Sequence, residues 1–408
     1  MIESMSPAGD VPVSGFLGNE SFCGQSSDIV IPSGPVTSGA AMVGAGIKGK
    51  TGLVDPCSRE EEFLRTTEAF LSLPAIEGMV SPLFGSAIVR RESGLFIARD
   101  PLGTKPMFTS SGKIPCAASD PRALEVAHGR VIPLKPSTFY DLGGGPGIST
   151  HMRVPKIQAG VKIGEVIDEL LAALRSFIEA LPPPRALFFS GGIDSLILAK
   201  ICGEIGETTL ISAGIEGCKD LSRARSVAGE IPCPLVSLKI PVSSIPGDVE
   251  ILERINPTAK PMNVAIALPI LHAARAAAEM EINTAIAGHG ADELFGGYHR
   301  YISEADPRPS MLTDLLNLHS RGMTVCDLAS RGNKVDLYLP FLDQSIVELA
   351  LSLPTRHLIG KSGRKILLRK TGVRMGLSKK SVMAKKCAIQ YGSGVNKHVF
   401  RLLGGRKE

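Results

Sequence analysis

The sequence predicts an α/β protein whose C-terminal part is a doubly wound parallel sheet with helices on both faces. From residue 186 onward, short apolar runs alternate with segments of helical spacing. This is the pattern of parallel strands that are joined by helices. In addition, the glycine turn Ser190–Ser195 separates the first of these runs from the first helical segment, and doubly wound sheets carry a tight turn at that position.

The individual elements of this part are predicted from hydrophobic periodicity. A helix is expected over residues 163–181, where Pro182–Pro184 ends it. The other expected elements are strands at Ala186–Phe189, Thr209–Ala213, Leu235–Ile240 and Thr284–Ala287, and helices at Ser195–Ile205, Leu221–Ala228 and Val264–Met280.

The N-terminal part differs in character and is predicted to be a smaller, β-rich domain. Residues 1–60 are rich in Gly, Ser and Pro, as in loops and short strands. A helix is expected at Glu60–Leu73, followed by strands at Phe84–Arg90 and Gly94–Ala98. We place the two domains at residues 1–142 and 161–408, with a linker over residues 143–160 that begins in a glycine-rich stretch.

Composition and charge narrow the possible functions. Tryptophan is absent and aromatic residues make up 5% of the chain, so stacking platforms for single-stranded nucleic acid are scarce. The 45 basic and 40 acidic residues give a net charge of +5, which anionic small molecules explain as well as nucleic acid does.

The apolar tracts are too short to span a membrane, and the N-terminus lacks a signal-peptide pattern. The eight cysteines form no C-x-x-C pair, which indicates reduced thiols and neither a zinc nor an iron–sulfur site. The sequence thus predicts a cytoplasmic protein that binds neither nucleic acid nor a membrane.

A phosphate-loop motif near the N-terminus is interpreted as a chance match. Gly44–Thr51 fits the pattern G-x-x-x-x-G-K-S/T, whose mechanism requires a strand before the loop and a helix after it. Gly52 and Pro56 follow the motif closely and disfavour such a helix. We predict a loop there.

The turn Ser190–Ser195 carries the predicted chemistry. Gly191 and Gly192 allow the backbone to approach an anion, Ser190 and Ser195 supply hydroxyl donors, and the following helix supplies free N–H groups. Asp194 fits beside phosphate if it holds Mg²⁺. An ordinary strand-to-helix turn is the alternative, but the strand–turn–helix context favours a pyrophosphate loop that binds ATP, which is then cut between its α- and β-phosphates.

A second loop is predicted to face the same crevice. The strand-like segment Asn283–Gly288 opens onto His289–Tyr298, and the carboxyl ends of parallel strands lie at one edge of a sheet. Asp292 is therefore predicted as a second carboxylate for the metal. Capping of a following helix is the alternative, and it suits Glu293 better than Asp292.

Five segments together resemble the synthetase domain of glutamine-dependent asparagine synthetases, most closely the divergent asparagine synthetase domain-containing proteins. They are residues 190–195, residues 288–298, residues 339–354 with their P-F-L-D sequence, Gly363–Arg369, and the basic segment Lys385–Gly394, all in family order. The resemblance covers most of residues 160–400. Phe96–Pro106 and Ala118–Leu124 also resemble the later part of the family's N-terminal-nucleophile glutaminase domain.

The resemblance implies an AMP-forming amide synthetase with a PP-loop ATP-pyrophosphatase domain, which uses ATP and Mg²⁺. In the family, ATP converts the carboxylate of aspartate into an acyl-adenylate with release of pyrophosphate, and an amine then displaces AMP. The implied site residues are Ser190, Gly191, Gly192 and Ser195 for pyrophosphate, Asp194 and Asp292 for Mg²⁺, Phe189, Ala213, Ala287 and Gly288 around the adenosine, and Lys386 and Lys365 as positive charges near the phosphates.

Three departures from the family pattern affect the nitrogen source and the acceptor. The family's glutaminase needs a cysteine directly after the initiator methionine, and this chain has Ile2 there. We therefore expect a degenerate, inactive glutaminase-like domain, with nitrogen from free ammonia, a separate ammonia-supplying protein or another amine. His289 stands where the family has Glu or Tyr, and it is either the base that deprotonates the amine or a spectator. Tyr338 replaces the family's Arg before P-F-L-D, which leaves the amino-acid substrate open.

Three alternatives to an asparagine-synthetase-type activity stay open. The first is an amide ligase for a different carboxylate and amine, including ring closure. The second is sulfur insertion into tRNA, whose enzymes share the S-G-G-x-D-S loop, although the missing C-x-x-C and the weak positive charge disfavour it. The third is a non-catalytic ATP- or AMP-binding regulatory or scaffold protein, which the degenerate N-terminal domain suggests.

Overall fold

The computed structural model describes residues 31–32, 39–43, 86–91, 94–110, 116–118, 120–122, 124, 130–141, 154–257, 259–360, 363–384 and 389–404. The chain divides into two compact units, Met1–Met152 and Arg153–Glu408. The helix predicted at Glu60–Leu73, the loop predicted at Gly44–Thr51 and the first part of the predicted linker lie outside the described residues.

The described residues of the N-terminal unit form two antiparallel sheets. Their strands are β1 (Ile31–Pro32), β2 (Gly39–Val43), β3 (Ser86–Arg91), β4 (Gly94–Arg99), β5 (Phe108–Ser110), β6 (Cys116–Ala118), β7 (Val131–Pro133) and β8 (Thr138–Asp141). One sheet has the order β1-β6-β5-β7 and the other the order β2-β3-β4-β8. The predicted pair of strands on either side of residue 92 is confirmed as the antiparallel pair β3–β4. The β-rich character expected of this part of the chain is thus present in what is described.

The C-terminal unit is built around one five-stranded parallel sheet. Its strands are β9 (Arg185–Phe188), β10 (Thr208–Gly214), β11 (Leu235–Lys239), β12 (Thr284–Ile286) and β13 (Asp336–Tyr338), in the order β11-β10-β9-β12-β13. Every neighbouring pair is parallel. All residues of the central strand β9 are buried, as expected for a strand that is covered by helices on both faces. The predicted parallel α/β sheet is confirmed.

Helices of the C-terminal unit form the two outer layers. They are α1 (Ile163–Glu179), α2 (Ile193–Ile205), α3 (Lys219–Val227), α4 (Ile245–Ile255), α5 (Pro261–Glu279), α6 (Ala291–Leu294), α7 (Arg308–Leu316), α8 (Met323–Arg331), α9 (Gln344–Ser352), α10 (Ile366–Arg374), α11 (Lys379–Met383), α12 (Ile389–Gly392) and α13 (Asn396–Leu403). Helix α2 packs with α1 and α10, whereas α5 packs with α4, α8 and α13. Within the described ranges, no helix combines the length and the apolar character that crossing a membrane requires.

The strand order creates a crevice at the centre of the sheet. The chain runs outward from β9 through β10 to β11, and then returns to the other side of β9 to form β12 and β13. The order therefore reverses between β9 and β12, and doubly wound sheets bind ligands outside the carboxyl ends of the strands at this reversal. The two loops that the sequence singled out follow these two strands.

Candidate active site

The loop after β9 is a tight anion-binding turn. Gly191 has a φ of +69°, and a Cβ on it would lie 2.8 Å from Cγ of Arg223, so both the backbone angle and the packing of α3 require glycine there. The Ser195 hydroxyl donates to the carbonyl of Gly192 at 3.0 Å and lies 3.4 Å from the Ser190 hydroxyl. The first turn of α2 follows directly, and its N–H groups have no partners within the helix. Backbone N–H groups and hydroxyl groups thus converge at the end of β9.

The loop after β12 packs directly against this turn. A Cβ on Gly288 would contact the Cβ of Asp194 at 3.4 Å, so the two backbones meet at the start of α2. Gly290 has a φ of +88°, and a side chain there would overlap Leu342. This left-handed residue turns the chain into the short helix α6, which carries Asp292 and Glu293. The predicted convergence of the two loops is present.

A buried lysine joins the two predicted magnesium ligands. Lys365 Nζ lies 2.6 Å from Asp194 Oδ1, 2.7 Å from Asp194 Oδ2 and 2.6 Å from Asp292 Oδ1. Asp194 is 2% exposed and Lys365 5% exposed. Lys365 immediately precedes α10 with a φ of +55°, a left-handed conformation that costs a non-glycine residue roughly 1–2 kcal/mol. The contacts of the ammonium group with both carboxylates offset this strain and the burial of charge.

The carboxylate pair fits a hard divalent cation. Both carboxylates contact Lys365 Nζ. A metal ion that took the place of this nitrogen could therefore contact both of them. Among the residues that the structure describes, no group of three or more His, Cys, Asp or Glu side chains is arranged to hold a metal. The protein would therefore supply two carboxylates, and phosphate oxygens and water the remaining ligands, which is how Mg²⁺ is usually bound beside a nucleotide.

The crevice holds a cavity of about 180 Å³ that extends under both loops. Most of the predicted site residues line it: Phe189, Ser190, Asp194, Ser195, Ala213, Ala287, Gly288, His289 and Asp292. Gly191, Gly192 and Lys365 do not line it, but they hold the residues that do. Lys386 lies outside the described residues, so its predicted role stays a prediction.

The part of the cavity below β9 and β10 is the more apolar. Phe188, Phe189 and Ile211 line it together with Ser212 and Ala213. The Ser212 hydroxyl is buried and makes no hydrogen bond within the described part of the chain. A buried hydroxyl without a partner is costly, so a ligand in this part of the cavity would gain a hydrogen bond by meeting it. The sequence analysis did not select Ser212, because a serine inside an apolar strand has no motif around it.

The part of the cavity below β12 has a different character, which is set by a buried acidic residue. Glu293 is 3% exposed, and Tyr298 donates its hydroxyl to Glu293 Oε1 at 2.5 Å. Burial and the neighbouring Asp292 carboxylate raise the pKa of Glu293. Burial also raises the pKa of Tyr298 far above its usual range, as do Glu293 and Asp292. This pair is therefore a fixed hydrogen-bonded unit, and capping, which was the alternative for Glu293, does not account for its burial in the cavity wall.

One buried aspartate pairs with two arginines, of which one lines the cavity. The Asp314 side chain is 4% exposed and accepts hydrogen bonds from Arg300, Arg321 and the Tyr301 hydroxyl. The guanidinium of Arg300 also lies over the ring of Tyr298, 4.8 Å from its centre. Of the two arginines, Arg321 lines the cavity, with Leu318 beside it. Neither residue belongs to a sequence motif, and neither was predicted.

His289 belongs to the loop that follows β12. It directly follows Gly288, is partly exposed and lines the cavity. This is a position from which an imidazole can reach a ligand that spans both parts. Whether His289 acts as a base or is a spectator stays a prediction.

Gly297 is expected to be indispensable for the carboxylate–lysine cluster. A Cβ on it would lie 1.8 Å from Asp292 Oδ1 and 2.5 Å from Lys365 Cε, so Gly297→Ala must displace both side chains. Since a displacement of about 1 Å in a catalytic site can cost 10²-fold in rate, we expect a loss of turnover of roughly that size. Gly247→Ala is the matched control, because a Cβ there meets nothing within 4 Å. Wild-type turnover in Gly297→Ala would contradict the need for this packing.

The fold and the site together define the class of protein. It is an α/β protein whose parallel sheet carries a glycine-rich anion-binding turn and an acidic loop at the reversal of strand order. The family model described as asparagine synthase matches residues 168–309 and 302–403, which is more than half of the chain. The chain belongs to the asparagine synthase family, as the sequence predicted.

Comparisons with individual proteins agree with this family and are distant. The chain is 32% identical over 180 residues to "Putative asparagine synthetase (glutamine-hydrolyzing) 1" of Methanocaldococcus jannaschii, which covers 41% of this chain and 32% of that protein. It is 24% identical over 291 residues to an asparagine synthetase domain-containing protein of Saccharomyces cerevisiae. This match covers 57% of this chain and 53% of that protein. A solved structure, NMN synthetase from Francisella tularensis, matches with a TM-score of 0.34 and 14% identity over 61% of this chain and 89% of that chain.

The family model does not reach the N-terminal part of the chain. The family model begins at residue 168, and the chain spans only about a third to a half of the length of the two relatives described above. The glutaminase-like character of residues 1–142 and the domain bounds stay predictions.

Proposed function

We propose that this protein is an ATP-dependent, AMP-forming amide synthetase that activates a carboxylate, with aspartate as the first candidate, by adenylation. Ammonia or another amine then attacks the acyl-adenylate. The observation that carries the proposal is the carboxylate pair Asp194–Asp292, which meets the Ser190 turn at the reversal of the sheet. A nucleotide that binds there places its phosphates at the turn and its base in the apolar part of the cavity.

In the proposed first step, a carboxylate oxygen of the acceptor attacks the α-phosphorus of ATP, and pyrophosphate leaves. The Ser190 turn and the start of α2 direct hydroxyl and N–H donors at the pyrophosphate, where negative charge increases as the bond breaks. Asp194 and Asp292 would hold Mg²⁺, which neutralises phosphate charge when it is bound. Lys365, whose ammonium group contacts both carboxylates, would then turn to the phosphate oxygens and add a positive charge there.

In the proposed second step, the amine nitrogen attacks the acyl carbon, and AMP leaves with the bonding electrons. The attacking amine must lose a proton, and His289, which lines the cavity, is the candidate acceptor. Phe189, Ala213, Ala287 and Gly288 surround the site proposed for the adenosine and keep AMP in place until it is displaced. The nitrogen source is ammonia, a separate ammonia-supplying protein or another amine.

The proposal is tested by measuring pyrophosphate and AMP with ATP and Mg²⁺ over a panel of amino acids, with and without ammonium, and with glutamine in a separate arm. We expect equal amounts of AMP and pyrophosphate that depend on both the acid and the amine. Formation of ADP and phosphate would refute adenylation. ATP binding without turnover on any acid would favour the alternative of a non-catalytic, nucleotide-binding protein.

A further inference from the structure

The part of the cavity below β12 has the properties of a binding site for the acceptor, given the proposed function. Its lining includes Glu293 and Tyr298, Leu318 and Arg321, and Ile266 of α5, and Asp194 and Asp292 line the same cavity. The acid that is activated would bind in this part of the cavity.

The backbone on both sides of Arg321 is fixed by contacts with α5. The segment Leu318–Ser320 forms a single 3₁₀ turn, and Asn263 of α5 donates its side-chain amide to the Ser320 carbonyl at 2.8 Å. Gly322 follows with a φ of +115°, and a Cβ there would lie only 3.3 Å from Ile266. The segment is thus anchored on α5 on both sides of Arg321, which fixes the base of this long side chain.

Arg321 shares its carboxylate partner with a second arginine. One buried carboxylate, Asp314, receives the guanidinium groups of both Arg300 and Arg321. The Arg321 side chain is 48% exposed, and its contact with Asp314 uses one terminal nitrogen. A guanidinium presents five N–H donors in a planar fork. Donors of Arg321 therefore remain for an anion that enters the cavity.

Tyr301 links this cluster to the carboxylates of the predicted metal site. Its pKa is raised by burial and by Glu293 and Asp292, and is lowered by Arg300 and Arg321. Tyr301 donates its hydroxyl to the Asp314 carboxylate that pairs with Arg321, and Arg321 and Asp292 line the same cavity. A small molecule can then reach from Arg321 to the carboxylate pair.

We propose that Arg321 determines the specificity for the acceptor by binding a second carboxylate of the acid that is activated. The substrates are then small dicarboxylates, aspartate among them, whose carbon chain passes Leu318 and Ile266 while the other carboxylate reaches ATP. Planar, two-point binding of carboxylates is the interaction to which a guanidinium is best suited. An acid that carries a methyl group in place of the second carboxylate would form no ion pair with Arg321.

The test is a binding measurement that does not depend on turnover. The full chain is loaded with Mg²⁺ and α,β-methylene-ATP, which cannot be cut between the α- and β-phosphates, and is titrated calorimetrically with succinate, aspartate and butyrate. In the wild type, succinate and aspartate should bind and butyrate should not. Arg321→Met should weaken the binding of both dicarboxylates by about 10- to 100-fold, the loss expected for a charged hydrogen-bonding group, and Arg321→Lys should restore part of it.

Arg300→Met is the matched control. It removes an arginine from the same Asp314 carboxylate, but Arg300 does not line the cavity. If Arg321 acted only by supporting Asp314, both variants would weaken acid binding equally, and this outcome overturns the inference. The affinity for the nucleotide analogue, measured separately, should be the same in all three variants.

The outcomes separate this inference from the proposed function. Pyrophosphate release with butyrate as efficient as with succinate, or equal succinate affinity in the wild type and Arg321→Met, refutes the role of Arg321 and leaves adenylation intact. Arg321-dependent succinate binding without pyrophosphate release from any acid supports the carboxylate site and counts against the synthetase function.

Discussion

Asp194→Asn is expected to slow the release of pyrophosphate from ATP strongly. The amide keeps the size of the buried side chain but loses the charge that a Mg²⁺ ligand supplies at the start of α2. Loss of one charge-stabilising group in a catalytic site typically costs about 10²–10³-fold in rate, and we expect a loss in that range. The measurement is the initial rate of pyrophosphate and AMP formation at saturating ATP and Mg²⁺.

The control for this variant is Asp168→Asn. Asp168 lies on α1, and its side chain is 56% exposed and paired with Arg374. Asp168→Asn changes the same chemical group in the same unit but away from the cavity. This variant should therefore form pyrophosphate and AMP at the wild-type rate. A wild-type rate in Asp194→Asn, with normal circular dichroism, would show that Asp194 is not a metal ligand.

Lys365→Met is expected to destabilise the protein strongly in the absence of divalent cations. The substitution leaves Asp194 and Asp292 side by side without the ammonium group that contacts both. Removal of one partner from a buried ion pair typically costs 3–5 kcal/mol, so we expect a loss of about 3 kcal/mol or more in EDTA. Mg²⁺ should restore much of it, because the ion can occupy the space between the carboxylates. Thermal unfolding with EDTA and with Mg²⁺ measures both effects.

Lys370→Met on the same helix is the matched control. Lys370 is exposed, so its replacement should change neither the melting temperature nor its response to Mg²⁺. If Lys365→Met is destabilised to the same extent in EDTA and in Mg²⁺, then the carboxylate pair does not bind the ion, and the role of Lys365 is confined to structure.

Most of the sheet could be predicted because its strands have strong local signatures. The runs at β9, β10, β11 and β12 are apolar, and each is bounded by a turn or a charged segment. Helix α5 was also predicted, although Pro269 lies inside it, since its apolar and alanine-rich pattern continues through the proline. In contrast, β13 was missed because its three residues begin with a charged one, Asp336, whereas the equally short β12 lies in a longer apolar run. Helix α4 was missed because Pro246 and Gly247 stand in its first turn.

The site could be predicted only in part, and the reason is sequence distance. The turn at residue 190 and the acidic loop are local motifs whose meaning follows from adjacent residues. The contact of Lys365 with Asp194 joins residues that are 171 positions apart, and no local pattern reveals it. Arg321 and Leu318 enter the cavity from a short turn between helices that has no motif of its own. Such residues can be recognised as part of the site only from the structure, in which the sheet brings their segments to one edge.

The ammonium group of Lys365 between the two carboxylates also bears on the order in which ligands load. A free divalent ion would have to displace the ammonium group of Lys365, which already forms ion pairs with Asp194 and Asp292. An ion that arrives on ATP brings phosphate oxygens, which can receive the expelled ammonium group. On the proposed function, metal and nucleotide would then bind together, and magnesium without nucleotide would bind less well. Lys365 would in that case act as a counter-ion that the ATP-bound metal replaces.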